Sequence, residues 1–87
     1  MEWDTSIEFD PVILVFKDPD RILSIRTAMG AANALINEFP CNDGEAFLAA
    51  IEICLEVVKG NAGPEQLRSA IIRAANEAGV TAIDVLN

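Results

Sequence analysis

The sequence predicts an α+β fold: a small antiparallel sheet packed with three helices, in the order ββααα(β), with the bracketed terminal strand as a candidate. Three observations predict it. Val12-Ile13-Leu14-Val15-Phe16 is a β-branched apolar run followed at once by turn residues. Three later segments carry apolar residues at helical spacing. The 87 residues suit one modest core, so residues 1–87 are read as a single domain.

The first nine residues alternate. Met1, Trp3, Thr5, Ile7 and Phe9 fall on one side, and Glu2, Asp4, Ser6 and Glu8 on the other. That is the period of a half-buried edge strand, and a solvated terminal arm is the equal alternative. After Pro11, the run Val12–Phe16 reads as a strand covered on both faces or lying near a sheet edge, because it does not alternate. Lys17-Asp18-Pro19-Asp20 is turn chemistry, and Arg21-Ile22-Leu23 returns as the second strand of a hairpin.

Ser24 is the expected N-cap of the first helix. Ile25, Ala28, Met29, Ala32, Leu35, Ile36 and Phe39 then share one face, with Arg26, Asn33 and Asn37 opposite, and Pro40 stops the helix. Asn42 or Asp43 is expected to cap the second helix, which runs from Gly44 or Glu45 to Lys59. Its polar residues Glu45, Glu52, Glu56 and Lys59 form a narrow stripe. Phe47, Leu48, Ile51, Ile53, Cys54, Leu55, Val57 and Val58 occupy most of the rest. A helix apolar over more than half its circumference belongs at the centre of a fold or against a second subunit.

Gly60-Asn61-Ala62-Gly63 ends that helix, and Pro64 opens the third, at the position where its missing donor does no harm. Leu67, Ala70, Ile71, Ala74 and Ala78 form its inner face, Arg73 and Glu77 are spaced as an i,i+4 ion pair, and Gly79 terminates it. Val80–Val85 is the candidate third strand, with Thr81, Ile83 and Val85 on one side.

The net charge is −8, from fourteen acids and six bases. The bases Lys17, Arg21, Arg26, Lys59, Arg68 and Arg73 are scattered, no two of them adjacent. Neutralising phosphates needs clustered positive charge, so nucleic acids and anionic membranes are excluded as expected partners. The acidic start MEWDTSIEFD has no apolar core of a signal peptide, and no apolar run has the length of a membrane span. Two cysteines are too few for a disulfide scaffold, which points to a reduced, cytoplasmic protein.

Cys41, in the corner FPCNDGEAF, is the residue to weigh as a reactive thiol, because it precedes a helix N-terminus that would stabilise a thiolate. Against this, the chain has no histidine to act as its base, and Asp43 and Glu45 disfavour the anion. Cys54 reads as a small core residue. Glu52 and Glu56 are one turn apart, a spacing that suits a cation or an acid/base pair, but no third ligand accompanies them and a solvated face is the better reading. No catalytic residue, cofactor or metal site is expected.

Pro11-Val12, Arg21-Ile22-Leu23-Ser24, the corner Phe39-Pro40 to Gly44, the helix Ala50–Gly60 with Cys54-Leu55, and Ala74-Ala75-Asn76-Glu77-Ala78-Gly79-Val80 together resemble the domain of unknown function 982 family. Its members are small bacterial proteins, mostly rhizobial, and the resemblance spans about Phe9 to Asp84. Two residues depart from that pattern: Phe39 stands where a Trp is expected and Phe47 where a Tyr is expected. A role that needs a ring N–H or a phenol is therefore not supplied at those positions. The resemblance implies fold and bacterial origin and carries no activity.

The functional expectation is a non-enzymatic interaction module. It would form a homodimer or dock an unidentified protein through the second helix or through residues 1–9 added as an edge strand. Trp3, Ile7, Phe9, Ile53 and Val57 are the candidate interface residues. The alternative is a small-molecule-binding or Cys41-dependent redox or enzymatic activity.

Overall fold

The computed structural model describes residues 8–17, 20–39 and 44–84. Strand β1 (Glu8–Lys17) pairs antiparallel with β2 (Asp20–Thr27) on one side and with β3 (Thr81–Asp84) on the other, giving the order β2-β1-β3. Between β2 and β3 run three helices, α1 (Ala28–Asn37), α2 (Glu45–Lys59) and α3 (Pro64–Ala78). The chain therefore has the expected α+β fold, and the candidate terminal strand is present as β3.

The hairpin strand that starts at Arg21 runs further than its sequence suggests. β2 continues to Thr27, and Ile25, expected on the first helix, instead lies opposite Val12 in the sheet and is 3% exposed. Ile25 fits both periods, two residues from Leu23 and three from Ala28. Pairing with β1 decides in favour of the strand. The cap moves accordingly from Ser24 to Thr27, whose Oγ1 accepts a hydrogen bond from the Gly30 N–H at 3.0 Å. At the other end α1 stops at Asn37, so Phe39 lies beyond the helix rather than on its face.

The core forms on one side of the sheet. Val12, Leu14 and Phe16 of β1 and Ile25 of β2 meet Ala28, Ala31 and Ala34 of α1, Cys54, Val57 and Val58 of α2, and Leu67, Ile71 and Ala75 of α3. A second cluster, Leu35, Phe47, Ala50, Ala70 and Ala74, fills the space among the helices. Phe39 and Ile53 pack against both clusters. Phe39 meets Phe16 edge-on at 6.1 Å and Phe47 at 6.0 Å, so three rings link sheet to helices. These contacts use ring edges and faces, which phenylalanine supplies without a ring N–H or phenol.

Alanine recurs on the inner helix faces, and small side chains let helices approach closely. The Cys54 Sγ–H donates to the Ala28 carbonyl at 3.2 Å, joining α2 to the first turn of α1. Both later helices end in left-handed glycines, Gly60 (φ 88) and Gly79 (φ 77), a conformation that costs other residues a Cβ clash.

The start of α2 is capped by another helix. Its N-cap position is Gly44, which has no side chain to offer; Asn42 and Asp43, the expected caps, lie outside the described residues. The Glu77 carboxylate, on α3, accepts from the Ala46 N–H and the Phe47 N–H, both at 3.2 Å. A Cβ on residue 44 would stand 1.9 Å from Glu77 Oε2, so any side chain there would push the capping carboxylate aside. Glu77, spaced for an ion pair with Arg73, is thus turned onto the positive end of α2.

Candidate functional site

The expected interface residues are placed as follows. Trp3 and Ile7 lie outside the described residues, as does Cys41. Phe9 is partly buried and packs against the main core cluster. Ile53 is half-buried between the two clusters, and Val57 is 0% exposed. The last two are core residues of a single chain, with little or no surface to lend to a partner.

The apolar residues of α2 divide accordingly. Phe47, Cys54, Val57 and Val58 are buried, with Ile51 and Ile53 half-buried, while Leu48 and Leu55 stand 53% and 44% exposed. They border the exposed acids Glu45 and Glu52. The helix is therefore covered less completely than its composition suggests, because α1 and α3 flank it and, among the described residues, nothing closes over its outer side.

A second surface follows from the sheet register. The residues of β1 that alternate with Val12, Leu14 and Phe16 point away from the helices. Val15 lies opposite Ile22 on β2 and Thr81 on β3, and Ile13 lies opposite Ser24 and Ile83. Paired residues share a face. Ile22, Val15 and Thr81 thus form one row, and Ser24, Ile13 and Ile83 the next. None of the six carries a charge. Ile22 is 70% exposed and Ile83 is 48% exposed, Ser24 and Thr81 are exposed, and Ile13 and Val15 are half-buried by these neighbours. All three helices pack on the opposite face.

A run such as Val12–Phe16 matches a strand buried on both faces. β1 is central, flanked by strands on both edges, yet among the described residues it is covered on only one face. The sequence signal that identifies Ile13 and Val15 was the absence of alternation, but choosing between two-sided cover and an open apolar face needs the helices to be placed.

The sequence also gave no sign of the role of Arg68. It is 5% exposed, and its Nε donates to the Asp10 carbonyl at 2.6 Å, with a longer bond of 3.4 Å from Nη2 to the Pro11 carbonyl. These bonds tie α3 to the first residues of β1, where the pairing register shifts between Glu8 and Val12. Arg21 stacks over Phe16 at 5.5 Å and pairs with Glu38.

The thiol of Cys54 is buried, and burial raises its pKa above the ordinary thiol value, which disfavours the nucleophilic thiolate. Glu56 accepts from the Asn61 side chain at 3.0 Å, and Glu52 is exposed. Among the described residues no three His, Cys, Asp or Glu side chains gather as metal ligands, and no helix is long and apolar enough to cross a membrane.

Fold and surface together define a small α+β chain whose three helices pack on one face of a three-stranded sheet. Residues 10–82 match the model of the family described as "Protein of unknown function (DUF982)", and the chain belongs to that family. No curated protein and no solved structure matches the chain.

Proposed function

We infer that this protein is a non-enzymatic interaction module that self-associates through apolar surface. The observation that supports the reading is the outer apolar side of the central strand: among the described residues no second layer covers Ile13 and Val15, which are flanked by the exposed Ile22 and Ile83. Contiguous apolar patches of this kind mark interaction sites on small proteins. The chemistry of the chain supports the non-enzymatic part. There is no histidine, and the Cys54 thiol is buried with its pKa raised.

Sedimentation equilibrium of the 87-residue chain tests the reading. The apparent mass should rise from monomer toward dimer as concentration increases through the micromolar range. A strictly monomeric species at high micromolar concentration would remove the self-association.

A further inference from the structure

We propose that two copies of this chain pair along the free edge of β2, strand against antiparallel strand, so that their sheets join into one. This rests on the self-association in the reading above and sets the contact at the strand edge that borders the apolar face.

β2 is an outer strand, and among the described residues no strand pairs with its far side. Alternate residues of an antiparallel edge strand present both their N–H and their C=O to that side, where a second strand can satisfy them. The opposite edge, β3, is described over only four residues, one of them the acid Asp84, and short charged edges resist pairing. β2 has eight residues, no proline, and an unbroken register with β1 from Asp20 to Ile25. Leu23 marks the open side. It lies opposite Leu14 and shares its inner face, yet Leu14 is 0% exposed while Leu23 is only half-buried. Beside it a groove of about 240 Å³ runs between β2 and α1, with Leu23, Ile25, Asn33 and Asn37 in its walls and no residue of β1. The groove therefore opens at the edge, with room for inner-face side chains of an added strand.

The occupant follows from symmetry and charge. Opposed residues of antiparallel strands share a face, so a twofold axis between two copies of β2 passes through a residue rather than between two. Two such registers pair the longest run: an axis at Leu23 pairs residues 20–26, and an axis at Ser24 pairs residues 21–27. Only the axis at Leu23 sets an acid opposite a base, Asp20 against Arg26 of the second copy, and symmetry makes it do so twice. Ile22 then falls opposite Ser24. The axis at Ser24 sets Arg26 opposite Ile22 and leaves Asp20 unopposed. β2 is also the one described element with a net positive charge, from Arg21 and Arg26 against Asp20. Two copies that each carry −8 thus meet at an element that is not acidic. The neighbouring α1 carries no charge, and Glu38, which also lines the groove, is paired with Arg21. An unrelated strand would use the same backbone groups without this self-complementarity.

On the order of six to eight backbone hydrogen bonds span such a register. Strand addition draws its affinity from these bonds rather than from apolar area.

The test uses the full chain in three forms: unsubstituted, Asp20→Arg and Arg26→Asp. Each variant sets like charges opposite each other across the axis, and each should weaken the dimer about tenfold in sedimentation equilibrium. An equimolar mixture of the two variants restores both acid–base pairs and should dimerise to within about threefold of the unsubstituted protein. Hydrogen exchange of the unsubstituted protein does not depend on how any variant folds. Alternate amides of β2 should exchange more slowly as concentration rises, and those of β3 should not change.

A dimer unaffected by either variant, or a mixture no tighter than the variants alone, overturns the register while leaving self-association in place. Protection that grows on β3 or α1 instead of β2 overturns the edge in the same way. An unsubstituted protein that stays monomeric at high micromolar concentration overturns both.

Discussion

The two faces of β1 are built from nearly the same residues and have opposite fates. Val12, Leu14 and Phe16 point into the helices and are at most 6% exposed. Ile13 and Val15, between them in sequence, point to the open side and are only half-buried by their strand neighbours. Composition does not separate the faces, since both are β-branched or large and apolar. What separates them is the placement of the helices. The comparison teaches that an apolar side chain holds the fold together only where a second layer meets it, and is otherwise available for association.

That contrast is broken most directly at its centre. Leu14→Ala should destabilise the chain by about 2–5 kcal/mol, the range for truncating a fully buried leucine. Val15→Ala, one residue along, should cost less than about 1 kcal/mol in the monomer, because most of its cover comes only from neighbouring strands. Chemical denaturation of dilute protein checks both. Equal costs would mean that the outer face is as well packed as the inner one.

Arg68→Ala tests what fixes the start of β1 against α3. It removes the bonds to the Asp10 and Pro11 carbonyls and the packing of a nearly buried stem, for an expected loss of about 2–3 kcal/mol. The same measurement checks it, and hydrogen exchange should show the amides near Asp10 opening sooner. A cost below about 0.5 kcal/mol would reduce Arg68 to a surface residue.

A smaller effect sharpens the comparison from within the helix layer. Glu77→Ala should cost about 1 kcal/mol by uncapping α2, and Gly44→Ala should cost a similar amount by displacing the same carboxylate. The double variant should cost little more than either alone, because both changes break one interaction. Full additivity in thermal unfolding would show that the two residues act independently. The smallest change is expected at Ile22→Thr, under about 0.5 kcal/mol in dilute monomer, since Ile22 is 70% exposed and its loss should appear in association instead.

Much of the fold was legible in sequence. The bounds of α2 and α3 follow from Gly60, Pro64 and Gly79, which act through the local backbone. The boundary between β2 and α1 was not legible, because Ile25 satisfies both the strand and the helix period and only its pairing with Val12 resolves the conflict. The interface residues expected from α2, Ile53 and Val57, turned inward, while Leu48 and Leu55 of the same helix stayed out. A helix apolar over most of its surface does not state which part a neighbour will cover. Ile22 and Ile83 lie 61 positions apart and come onto one face only through the register with β1.

The sequence by itself determined the element types, their order and the ends of the last two helices. These depend on backbone preference and on side-chain periodicity within a few residues. Only the tertiary structure decided that all three helices lie on one face of the sheet, that Glu77 caps a helix more than thirty positions earlier, and that Ile13 and Val15 face away from the helices. Those outcomes depend on which distant surfaces meet. Contact between distant segments is settled by the summed packing of the chain rather than by any residue's own conformational preference.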